Sequence, residues 1–204
     1  MALVKYNNNS ISAITTAGQL ASGSLVPISE QTASGSASIS FTSGIDSTYP
    51  IYKFEFINPN PNSGAGTCTF QFNGSTDSGS NYNVVKTTTN IQSTHGENDA
   101  FALLRYNTSF DIAQGTGFQS LCHGDSNTDA DASLSGELFL FNPSSTTFVK
   151  HFIARVMSYS ASGPDDVYTA GYFNTTSVIN AIKFQFSAGV IESGTIKLFG
   201  IKDS

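Results

Sequence analysis

The stretch Thr67-Cys68-Thr69-Phe70-Gln71-Phe72 places an apolar residue at every second position. That period puts Cys68, Phe70 and Phe72 on one face of a strand and their polar partners on the other. The same Phe-x-Phe spacing recurs at Phe54/Phe56, Phe139/Phe141 and Phe184/Phe186. The faces marked by these pairs are expected to form the core. Glu55, Gln71 and Gln185 between them should face water, whereas Leu140 predicts a strand covered on both sides. Spacing between the pairs is irregular, so they mark strand burial and not a solenoid or propeller repeat.

Outward from these pairs, period-2 segments alternate with Gly, Pro, Asn and Ser breaks. Strands are expected at 37–42, 50–58, 66–73, 82–89, 99–106, 108–113, 135–142, 147–157, 167–174, 179–187 and 193–201. Between them stand turn sequences such as Asn58-Pro59-Asn60-Pro61, Asn73-Gly74 and Ser162-Gly163-Pro164. The best helical stretch, Thr176 to Ile182, is one turn long. The fold class is therefore all-β, an antiparallel, jelly-roll-like β-sandwich over residues 37–204. Residues 1–36 read as an extended anchoring arm. It is rich in Ser, Ala, Gly, Thr and Asn, with Leu3, Val4, Tyr6, Leu20, Leu25, Val26 and Ile28 as its apolar anchors.

Composition narrows the function. Ser, Thr and Asn make up about a third of the 204 residues, and charged residues only 12%. The 16 Phe and 8 Tyr supply enough burial to exclude disorder. With 9 Lys and Arg against 15 Asp and Glu, the net charge is −6 and no basic cluster exists. Nucleic acid and anionic membranes are therefore not expected as partners. The opening Met1-Ala2-Leu3-Val4-Lys5-Tyr6 turns polar too soon for a signal peptide, and no stretch reaches membrane-spanning length.

Catalytic motifs are sparse. No Ser lies in a G-x-S-x-G elbow. His151 reads as a ring packed at a sheet edge. Glu55 and Glu137 each alternate with Phe and read as outer-face groups, not as a glycosidase pair. Asp125, Asn127 and Asp129, followed by Asp131, match the start of a calcium loop. However, Ala130 stands where that loop needs Gly and Gly136 where it needs Glu, so the stretch reads as a solvated loop. Tyr159, Tyr168 and Tyr172 are the candidates for stacking on a glycan, although Trp, the better platform, is absent. Cys68 and Cys122 are too few for a disulfide framework, and Cys68 reads as a small buried hydrophobe. No enzymatic activity, cofactor or metal is expected.

Four phrases carry a resemblance. They are Met1-Ala2-Leu3-Val4-Lys5-Tyr6-Asn7-Asn8-Asn9-Ser10, Phe141-Asn142-Pro143-Ser144-Ser145-Thr146-Thr147-Phe148-Val149-Lys150-His151-Phe152, Ala170-Gly171-Tyr172-Phe173-Asn174-Thr175-Thr176 and Ser193-Gly194-Thr195-Ile196-Lys197-Leu198-Phe199-Gly200-Ile201. Over essentially its whole length the chain resembles virion structural proteins of marine tailed bacteriophages, including those that infect cyanobacteria. The resemblance implies a homotrimeric component of the particle surface, a capsid decoration, fibre-type or tail protein that contacts other virion proteins. It carries over no catalytic residues. The last phrase is similar to the closing strand of jelly-roll domains in such proteins. A receptor- or glycan-binding fibre domain for host attachment is the alternative.

Overall fold

The computed structural model describes residues 24–62, 68–123, 132–160 and 163–202. In chain order the strands are β1 (Leu25–Thr32), β2 (Ile39–Phe41), β3 (Ile51–Pro61), β4 (Phe70–Ser75), β5 (Lys86–His95), β6 (Ala102–Tyr106) and β7 (Gln119–Ser120). β8 (Leu134–Phe141), β9 (Lys150–Ser160), β10 (Gly163–Phe173), β11 (Ala181–Phe186) and β12 (Ile191–Ile201) complete the fold. Among the described residues there is no helix. The strands form an eight-stranded sheet, ordered β1-β12-β3-β8-β9-β10-β5-β6, and a four-stranded sheet, ordered β2-β11-β4-β7. Every pairing is antiparallel. The expected all-β sandwich is thus the architecture, with more strands than the eight of a simple jelly roll and an unequal division between its sheets.

Phenylalanine alternation makes the core. Phe54 and Phe56 on β3, Phe70 and Phe72 on β4 and Phe184 and Phe186 on β11 are all buried. Phe184 lies at the centre, with the rings of Phe41, Phe54, Phe56, Phe70 and Phe72 at centroid distances of 5.1 to 6.3 Å, mostly edge to face. A second group joins Phe72 to Phe152 and Phe173, which links the four-stranded sheet to β9 and β10.

The structure corrects five expectations. Phe139 and Phe141 lie half-buried on the outer face of β8, while Leu134, Leu138 and Leu140 take the core side. From Leu138 to Phe141 every position is apolar, so the Phe pair alone could not orient the strand; Ser135 and Glu137, which share its face, mark that face as the outer one. Residues 25–36 also belong to the sandwich. Leu25 and Val26 pair with Ile201 and Gly200 of β12, and Ile28 packs against the core. No boundary therefore falls at residue 36, because the free edge of β12 orders this polar segment through main-chain hydrogen bonds. Leu3, Val4, Tyr6 and Leu20 lie outside the described residues. The expected strand at 108–113 is a loop folded against β5, and β5 runs from Lys86, later than expected. His151 is not at a sheet edge; it stands exposed on the outer face of β9, an interior strand of the sheet.

The ring cluster sets a measurable contrast. Phe184→Ala should cost about 3–5 kcal/mol in urea unfolding, and Phe139→Ala, on the outer face, about 1 kcal/mol. Equal losses would contradict this assignment of the two faces.

Candidate functional site

Two places concentrate chemistry, and they lie on opposite faces of the same strands. The first is the inner face of β5 and β10, beyond the reach of the Phe cluster. Here Lys86, Thr88, Asn90 and Gln92 point inward, the reverse of an apolar-in strand. The segment 107–123 and β10 supply partners. Thr88 donates to Gln119 Oε1 (2.6 Å), Gln92 to Asp165 Oδ1 (2.9 Å) and Asn90 to Thr169 Oγ1 (3.3 Å). His123 Nε2 lies 3.0 Å from Asn90 Oδ1, and its ring stacks on Phe110. Arg105 closes the edge of the network by donating to Gln92 Oε1 (2.8 Å).

Two lysines are sealed into this wing on either side of Phe173, their strand partner in both β5 and β9. Lys86 Nζ donates to the Gly117 carbonyl and lies 5.8 Å from the Phe173 ring centroid. Lys150 Nζ donates to the carbonyls of Phe148 and Thr175. Burial lowers both ammonium pKa values, that of Lys86 to about 8. Neither side chain is open to a substrate, so the network reads as a polar filling that fixes strand register.

The second place is the outer face of the eight-stranded sheet. One cross-strand row runs Glu30, Lys197, Glu55, Glu137, Arg155, Tyr168, Ile91, Tyr106, one side chain from each strand. Its first five members are charged. Lys197 reaches Glu30 (3.2 Å), and Lys53 lies 2.9 Å from both Glu55 and Glu137, so an ammonium separates two carboxylates that the register sets opposite each other. Burial opposes the charge on Lys53, but hydrogen bonds to Glu55 and Glu137 overcome it and hold its pKa above the ordinary value. Arg155 pairs with Asp166 (2.8 Å) and covers the Tyr168 ring (4.8 Å to the centroid). The expectation that Glu55 and Glu137 occupy the outer face matches their position. Their juxtaposition was not legible, because it depends on the β3–β8 register.

Toward β6 this face carries exposed apolar side chains with Thr89, Ser93 and Asp166 between them. Ile91, Tyr106, Leu104, Ile153, Met157 and Tyr168 are all at least two-fifths exposed, and Leu104 reaches 76%. Tyr159 and Tyr172 share the face but stand at opposite ends of it, across from Pro164 and His151. Only Tyr172 borders the shallow depression of about 480 Å³ formed over Ala170 and Gly171 by Thr87, Thr89, His151 and Ile153. Gly171 is required there, since a Cβ would come within 2.6 Å of the Thr87 carbonyl oxygen. Asp125, Asn127, Asp129 and Asp131 lie outside the described residues. Among the described residues no group of three or more His, Cys, Asp or Glu is placed to hold a metal. Cys68 and Cys122 are buried, and the Phe70 amide donates to Cys122 Sγ (3.1 Å). No protein-family model, curated protein or solved structure matches the chain.

Lys86 gives the wing a pH signature. Its folded pKa lies below the unfolded value of 10.5, so between about pH 8 and 10.5 the unfolded chain holds a proton that the folded chain lacks. Stability must then rise with pH across that window. Urea unfolding at pH 7.5 and pH 10 should show a gain of about 2 kcal/mol in the native chain. The gain should shrink in Lys86→Met; an undiminished gain would remove Lys86 as its source.

Proposed function

We propose that the chain is a non-enzymatic structural protein of a tailed-bacteriophage particle. It sits on the particle surface as a capsid decoration, fibre-type or tail component, joined through residues 1–23, with further copies of itself and other particle proteins as partners. The observation that carries this reading is the outer face of the eight-stranded sheet. Toward β6 it exposes Tyr168, Ile91 and Tyr106 side by side in one row, with Leu104, Ile153 and Met157 exposed in the flanking rows, an area that suits contact with protein more than with water. The charged half is internally paired and offers the sheet a soluble rim. The resemblance of the four sequence phrases to virion proteins supports the same reading. A sequence division at residue 36 no longer applies, so the anchoring segment is shortened to the residues before β1.

A second reading, a glycan-binding fibre domain, draws on the depression beside Tyr172. Its two threonine hydroxyls and the His151 ring offer polar contacts around an apolar floor. Binding on a glycan array that is lost in Tyr172→Ala would favour it.

For the structural reading, mass spectrometry of purified particles should find the chain, and its absence would discard the proposal. A chain lacking residues 2–23 should keep its thermal midpoint but fail to co-sediment with particles stripped of the protein. Co-sedimentation equal to that of the full chain would discard the anchoring role.

A further inference from the structure

Among the described residues four strands stand at sheet edges, and three of them are poor templates for a further strand. β2 and β7 have three and two residues, too few to template another strand. β1 carries Pro27, a register shift between Pro27 and Ser29, and Glu30. β6 has none of these devices. All five of its residues are exposed, and with Phe101 just before it the sequence is Phe-Ala-Leu-Leu-Arg-Tyr. Its single charge is tied inward, because Arg105 donates to Gln92.

The hydrogen-bond pattern identifies what β6 leaves open. Asn107 donates to the Asn90 carbonyl and Gly96 to the Phe101 carbonyl. With the register Ile91↔Tyr106 to His95↔Ala102, the alternation of an antiparallel ladder assigns the main-chain groups of residues 101, 103, 105 and 107 to β5. Those of Ala102, Leu104 and Tyr106 point away from the sheet and meet no described residue.

We propose that β6 pairs antiparallel with β6 of a second copy about a two-fold axis at Leu104, joining two eight-stranded sheets into one. The occupant follows from the strand itself. Centred on Leu104, the pairing sets Ala102 against the partner's Tyr106 and Leu104 against the partner's Leu104, so every outward N–H and C=O gains a partner. On the inner side Arg105 falls beside the partner's Leu103, and the two guanidinium groups do not meet. The outer-face row makes the same choice: its apolar end, Tyr168-Ile91-Tyr106, lies at β6, and its charged end at β1. Two-fold pairing therefore brings two apolar halves together and leaves both charged halves at the far rims. A partner of different sequence would need to reproduce this apolar pattern. The inference does not depend on the virion reading.

The test is sedimentation equilibrium of the full chain at tens of micromolar. A species of twice the 21.6 kDa chain mass is expected. Leu104→Pro removes the central outward N–H without touching the bonds to β5, and Leu104→Lys places two ammonium groups at the axis. Both should be folded monomers, whereas Leu25→Lys at the opposite edge should remain dimeric. In the dimer the Leu104 and Tyr106 amides should exchange with solvent about tenfold more slowly than on dilution to the monomer. A monomeric native chain would overturn the proposal. So would a dimer or trimer that persists in both Leu104 variants.

Discussion

The contact of Phe184 with five other rings is the constraint on which the remaining structure depends. It couples β11 and β4 of the small sheet to β3 of the large one. The extension through Phe72, Phe152 and Phe173 then fixes where the small sheet ends. Four strands cannot cover eight. The large sheet therefore overhangs on the β10-β5-β6 side, and the segment 107–123, irregular except for the two residues of β7, folds beneath it. An irregular segment brings many main-chain groups with it, and these require polar partners from the sheet. On β5 the Lys86 ammonium donates to the Gly117 carbonyl, the Thr88 hydroxyl accepts from the Ile112 amide, and the main chain of Lys86, Thr88 and Asn90 pairs with Gly115, Ile112 and Asn107.

That polar filling specifies more than it stabilises. Each buried amide bond is worth about 1 kcal/mol net, whereas leaving one partner unpaired costs more. A one-residue slip of β5 would turn Lys86, Thr88, Asn90 and Gln92 outward and drive Thr89 and Ile91 into the network. Register is thus held by the penalty for error. Lys86 and Lys150 are the expensive members, two ammonium groups held mainly by carbonyl oxygens on either side of one Phe ring.

The sequence made the apolar strands legible because Phe-x-Phe with a polar residue between leaves one choice of face. Three of the four pairs, on β3, β4 and β11, lie inward as that rule requires. The rule has no force on β8, where Leu and Phe alternate, and there the leucines took the core. β1 was illegible because its alternation is of Ser, Glu, Gln and Thr; main-chain pairing to β12 holds it, and that leaves no trace in hydropathy. β5 misled for the opposite reason, since its buried set is polar. The outer-face row could not be read at all. It joins residues up to 167 positions apart, from Glu30 to Lys197, and exists only once seven registers are set.

The same row bears on where a chain with so few charges places them. Lys53, Glu55, Glu137, Arg155 and Asp166 form one paired patch, so the charges that the sheet carries are spent on each other near β3, β8 and β9. Little is left to guard the other half, where Ile91, Leu104, Tyr106 and Tyr168 gather next to β6, the one described edge that neither shortness nor proline nor a bulge blunts. Natural sheets place such devices where pairing would be harmful. Here they protect β1, on the charged side, and are missing from β6, on the apolar side. The two omissions fall on adjacent surfaces, which is the arrangement a strand-to-strand interface needs: main-chain groups for register at the edge, and apolar side chains beside them to bury.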